Sequence, residues 1–87
     1  MEDEKRDILK LMLSPYALKI LELVATPKRF NELRETIKNA RTLSAKLSHL
    51  RKYGLIKTAG MVVKDKYHNS YVISQKGKDV LRMIRKL

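Results

Sequence analysis

The side chains that most often carry chemistry are few in this sequence, and they stand apart. His49 and His68, the two histidines, are nineteen residues apart, with no carboxylate at the local spacing of a metal-binding motif. Glu32 and Glu35 share a helical segment, but two carboxylates three apart are ordinary surface composition. The glycines Gly54, Gly60 and Gly77 are scattered, so no glycine-rich loop can cradle a phosphate. Cysteine is absent, which excludes disulfides, thiolate metal sites and thiol redox switches. The residues therefore point away from an enzyme, a resident metal or a cofactor.

What remains is charge. Twenty Lys/Arg against nine Asp/Glu give +11 at pH 7, unevenly spread. Residues 1–13 carry three basic and four acidic side chains, whereas residues 37–87 carry thirteen basic and two acidic. Concentrated positive charge raises affinity for polyanions through counterion release and steered encounter. Nucleic acid is the first partner to expect, an acidic membrane surface the second; a solvated Lys/Arg surface needs no partner at all.

The cations need elements to position them, and 87 residues suffice for one domain. No repeat, low-complexity stretch or Gly/Ser linker divides the chain, so residues 1–87 are expected to form a single unit. No apolar run approaches the ~20 residues of a membrane span. Met1-Glu2-Asp3-Glu4 lacks the basic lead and apolar stretch of a signal peptide, so a cytoplasmic protein is expected.

The acidic start and the apolar residues Ile8, Leu9, Leu11, Met12 and Leu13 predict a helix over about Glu2–Leu13. Ser14-Pro15 predicts the cap and first residue of a second helix running to about Ala25, ended by Thr26-Pro27. A third helix is expected from a cap near Asn31, with Leu33 and Ile37 on one face. Asn39 should cap a fourth over Ala40–Tyr53, which Gly54 stops. Leu55–Thr58, Met61–Val63 and Tyr71–Ile73 read as short strands, with a bulge or local bend at Gly60 and a long polar loop over 64–70. Ser74 then caps a last helix carrying Val80, Leu81, Ile84 and Leu87. The expected fold class is α+β, mostly α, with four helices, a hairpin and a closing helix.

The fourth helix has two chemically different faces. At ~100° per residue, Leu43, Leu47 and Leu50 form a narrow apolar stripe. Arg41, Ala45, Ser48 and Lys52 lie opposite it, flanked by Ser44 and His49. No carboxylate occurs between Lys38 and Lys64. A small, polar, cationic face can enter a major groove ~12 Å wide and lined by phosphates, where a bulky or acidic one cannot. In the hairpin, Lys64, Lys66 and His68, with Tyr67 among them, could lie along a minor groove or backbone, Lys on phosphate and Tyr on phosphate or sugar. Asp65 is the discordant residue there. An ordinary solvated helix and loop remain the alternative for both segments.

The strings Arg29-Phe30-Asn31-Glu32-Leu33-Arg34, Leu43-Ser44-Ala45-Lys46-Leu47, Leu50–Ile56 and Tyr71–Gly77 together resemble winged helix-turn-helix transcription regulators of bacteria and archaea. Within these, the pattern is most similar to the HxlR-like group and its MarR/ArsR-like neighbours, over roughly residues 15–82. The resemblance implies a helix-turn-helix over Asn31–Ile37 and Ala40–Tyr53, a wing tip over Lys64–Asn69 and a homodimer on double-stranded DNA. The DNA-contacting residues would be Arg41, Thr42, Ser44, Ala45, Ser48, His49 and Lys52 on the recognition helix and Lys64, Lys66, Tyr67 and His68 on the wing. Arg29 and Lys38 would make weaker backbone contacts. With neither cysteine nor tryptophan in the chain, no thiolate-sensing role is implied, and an effector is not specified.

The residues themselves also suggest dimerisation. Ile8, Leu9, Met12, Leu13, Leu81, Ile84 and Leu87 are more apolar surface than the ends of so small a domain are expected to cover, and pairing two copies would bury it. Two other functions stay open: a sequence-neutral architectural DNA-binding protein, suggested by the small side chains Ser44, Ala45 and Ser48, and a winged-helix module that binds another protein.

Overall fold

A computed structural model describes residues 2–86. The elements in order are α1 (Glu2–Met12), α2 (Ala17–Leu23), β1 (Lys28–Arg29), α3 (Phe30–Arg34), α4 (Ala40–Lys52), β2 (Ile56–Val63), β3 (Lys66–Ile73) and α5 (Gln75–Arg85). The three strands form one antiparallel sheet in the order β1-β3-β2. Helices α2, α3 and α4 gather Ile20, Leu21, Val24, Leu33, Ile37, Leu43 and Leu50 into a core that Leu55, Ile56, Ile73 and Leu81 close from the sheet and α5. This is a winged helix-turn-helix: α3 and α4 are its paired helices and the β2–β3 hairpin its wing.

Helix α4 is held at both ends by local chemistry. Asn39 Oδ1 accepts the Thr42 backbone N–H at 3.0 Å, satisfying one of the donors that the first turn leaves open. At the other end Gly54 takes φ +71°, the left-handed conformation that favours glycine. The Gly54 N–H donates to the Arg51 carbonyl and the Leu55 N–H to the Leu50 carbonyl, the paired bonds of a Schellman stop. Leu50 and Leu55, the apolar pair of that motif, are both fully buried. Before α4, Arg34 Nη2 donates to the Lys38 carbonyl at 3.2 Å and so braces the turn from α3.

Ser74 joins three elements. Its N–H donates to the Leu55 carbonyl, its hydroxyl donates to the Gly54 carbonyl, and the same oxygen accepts the Gly77 N–H at the start of α5. Gly77 is buried where α5 meets the chain leaving α4. A Cβ there would collide with the Leu55 carbonyl oxygen and lie 2.7 Å from Ile73 Cγ1. Helix α4, the root of the wing and the last helix are thereby fixed to one another.

Several boundaries differ from expectation. Ser14 does not open α2: its hydroxyl donates to the Leu11 carbonyl at 2.6 Å, closing α1, and α2 begins at Ala17 without a side-chain cap. Asn31 is not the cap of α3. The helix starts at Phe30, with Arg29 as the capping residue and its N–H donating to Glu32 Oε1 at 2.9 Å. β1 has no counterpart in the sequence reading, because its two residues become a strand only by pairing with Tyr71 and Ser70. The two runs around Gly60 are one continuous strand in unbroken register, with Gly60 opposite Asn69 and no bulge. The expected long loop is a two-residue turn, Lys64-Asp65, with both residues at positive φ (52° and 64°), which matches the right-handed twist of a hairpin.

The terminal helices also differ from expectation. Ile8, Met12 and Leu81 belong to the chain's own core, and Ile84 packs on it half-buried. They are not surplus surface. Leu87 lies outside the described residues. Among the described residues at these two ends, the exposed aliphatic side chains are Leu9, Leu13 and Met83, the last outside the set expected from the sequence.

Candidate nucleic-acid interface

The leucine stripe of α4 is fully turned inward, which fixes what the opposite face presents. Arg41, Ser44, Ala45, Ser48, His49, Arg51 and Lys52 are exposed, and Thr42 is half-buried behind its cap. The face is not uniform along its length. His49 and Lys52 line a cleft of about 270 Å³ with Asp7, Lys10, Leu11 and Tyr53, where α1 crosses the end of α4. Lys52 Nζ lies 5.6 Å from the Tyr53 ring centroid, and Tyr53 Oη is 3.4 Å from Asp7 Oδ2. Intramolecular partners thus surround the C-terminal end, leaving Arg41, Ser44, Ala45 and Ser48 as the open part. These are the N-terminal positions from which recognition helices reach base edges.

The wing carries its charge differently from a loop. Lys64 sits at the turn, whereas Lys66, Tyr67 and His68 belong to β3, pairing with Val63, Val62 and Met61. Alternation along the strand sends Lys66 and His68 to one face and Tyr67 to the other. Lys66 and Tyr67 are exposed and His68 is half-buried. The candidate group is therefore divided over two faces instead of clustered at a tip.

Arg29 and Lys38 fare unequally. Arg29 is half-buried, and its Nε lies 3.3 Å from Glu32 Oε1, so much of its charge is answered within the chain. The Arg29 backbone N–H, seconded by its side chain, holds the Glu32 carboxyl below its ordinary value of 4.5. Lys38 is exposed in the turn before α4. Arg51 and Lys57 are exposed cations that the sequence reading left out. Arg51 lies within α4 and Lys57 within β2, and in the sequence only the charge imbalance of residues 37–87 points to them.

Among the described residues no group of three metal-ligating side chains is gathered, and no helix is long and apolar enough to cross a membrane. The family model of HxlR-like helix-turn-helix proteins matches residues 16–87. The chain belongs to the HxlR-like helix-turn-helix family. Membership makes it a DNA-binding transcription regulator and not an enzyme. Solved structures of similar fold include the reduced form of the transcriptional regulator YodB from B. subtilis (TM-score 0.80, 19% identity, 93% of this chain and 81% of that one). Reduced HlyU from Vibrio cholerae has a TM-score of 0.75 at 22% identity, covering 98% of this chain and 88% of its own. A PadR-family regulator from Eggerthella lenta aligns with TM-score 0.71 at 19% identity, over 94% and 79% respectively. No curated protein sequence matches the chain.

Proposed function

We propose that this HxlR-like protein is a sequence-specific regulator that binds double-stranded DNA as a homodimer, with α4 in the major groove and the wing on the backbone or minor groove. One observation carries the reading: α4 itself bears no carboxylate, and its open part, Arg41, Ser44, Ala45 and Ser48, is small and polar with a cation at its N-terminal end. Arg41 has the reach and the planar fork to read a guanine edge, while Ser44, Ala45 and Ser48 allow the helix backbone to approach closely. Thr42, His49 and Lys52 act at the margins, Lys52 toward phosphate. Lys64 and Lys66 contact phosphates, with Lys38 and, more weakly, the Glu32-paired Arg29 supporting them.

The second copy would join through α1 and α5. Between these helices lies a groove of about 390 Å³ lined by Ile8, Leu9, Val80, Met83 and Ile84, with Glu4 and Lys76 paired at its edge. Dimers of this architecture present two recognition helices about one turn of DNA, ~34 Å, apart. Selecting bound sequences from a random duplex pool tests the proposal. Enrichment of a two-half-site motif is the expected result. Equal affinity for every duplex would instead favour the architectural reading, for which the small residues of α4 speak.

A further inference from the structure

We infer that the wing carries an apolar contact surface for the sugar edge of duplex DNA, made by the Tyr67 ring seated over Gly60 beside Val62. The inference rests on the DNA-binding reading above and adds to it a contact that does not depend on charge. Val62 and Tyr67 are directly opposed in the β2–β3 register and project from the same face of the ribbon. Toward its base this face continues as Ile56 and Ile73, which are buried in the core. Beyond the core it emerges unpartnered: Val62 is 72% and Tyr67 70% exposed. An aromatic and a β-branched residue exposed together on a thin ribbon call for a partner surface.

Gly60 sets the direction of the ring. A Cβ at that position would lie 2.5 Å from Tyr67 Oη, 2.6 Å from Cε2 and 2.8 Å from Cζ. The ring therefore runs back along β2 across the missing side chain, with its hydroxyl aimed away from the turn. It offers a flat face to the outside instead of an O–H at the tip. Lys64, at the turn, and Lys66, on the opposite face of the ribbon, both precede it in sequence, and Asp65 is the single carboxylate of the hairpin. An apolar plate on a ribbon whose turn and opposite face carry cations fits a surface that is apolar between anionic groups. Deoxyribose lying between phosphates is such a surface.

The test uses the full chain and a duplex selected by the wild-type protein, with affinity measured at several salt concentrations. Tyr67→Ala should lower affinity about tenfold through lost apolar contact, with the salt slope unchanged. Tyr67→Phe should bind as wild type, because the hydroxyl is not used. Gly60→Ala, which leaves the ring intact but takes its seat, should lose affinity as Tyr67→Ala does while unfolding at a similar temperature. Lys64→Ala, in contrast, should reduce the salt slope by about one. Wild-type affinity in Tyr67→Ala alongside a weakened Lys64→Ala would overturn the inference and leave the DNA-binding reading standing. An equal loss in Tyr67→Phe would overturn it in favour of a hydroxyl–phosphate bond. A changed oligomeric state at unchanged DNA affinity would overturn it in favour of self-contact. Absence of binding to any duplex by the wild type would remove both readings.

Discussion

Arg41 and Lys64 are both exposed cations, yet their positions assign them different work. Arg41 stands in the first turn of α4, ahead of Ser44, Ala45 and Ser48, and on the proposed reading its bidentate guanidinium would read one base pair. Arg41→Ala should therefore cost about 1–3 kcal/mol on the preferred sequence and far less on others, measured by competition between the selected duplex and single-base variants. Lys64→Ala should weaken all of them alike. Acid should act on a different residue. Glu32 has its folded pKa lowered by the Arg29 backbone N–H first and by the Arg29 side chain second. Its contribution to stability is accordingly complete above its unfolded value near 4.5 and is lost as pH falls through the lower folded value. Glu32→Gln keeps an acceptor for the Arg29 N–H without the charge. Thermal unfolding of this variant should depend less on pH below 4.5 than that of the wild type, and identical acid profiles would remove Glu32 from the account.

At the scale of elements, what the sequence disclosed depended on whether an element's ends are made locally. Helix α4 was legible because Asn39 and Gly54 each act on a residue only a few positions away and the leucine stripe repeats at helical intervals between them. Ser74 was legible as the cap of α5 for the same reason. β1 was not, since nothing in Lys28-Arg29 marks a strand until Tyr71 and Ser70, more than forty residues away, supply its bonds. The wing turn was misjudged because Lys64-Asp65 lacks the Asn-Gly signature of a tight hairpin. That mismatch makes a prediction. Asp65 holds φ +64° without being glycine, so Asp65→Gly should relieve backbone strain of about 1 kcal/mol and raise the melting temperature. It also removes the hairpin's one carboxylate, so DNA affinity should rise at low salt. The opposite is expected at Gly77, where any Cβ meets the Leu55 carbonyl. Gly77→Ala should destabilise the fold by about 1–3 kcal/mol, read from denaturant midpoints, because the obstacle is backbone and cannot swing aside.

At the scale of the whole molecule, apolar spacing in α1 and α5 could not say which residues serve the chain's own core and which would serve a second copy, because both sets recur at helical intervals. The structure separates them by one or two residue steps. Ile8 and Met12 point into the core, while Leu9 (45% exposed) and Leu13 (85%) point outward. On α5, Leu81 is buried and Met83 is 49% exposed. If two copies join across the α1–α5 groove, Leu9→Glu and Met83→Glu should each yield a folded monomer, since neither side chain supports the core of one chain. Leu81→Glu, by contrast, should unfold the domain. Sedimentation equilibrium distinguishes these outcomes, and an unchanged mass for Met83→Glu would rule out pairing through this surface. Separation of the copies should also show on DNA. Linking two recognition helices raises affinity by about 10²–10⁴ when both half-sites are engaged. The monomeric variants should consequently lose most of their affinity for a two-half-site duplex while binding an isolated half-site as before, because Arg41 and the wing are untouched.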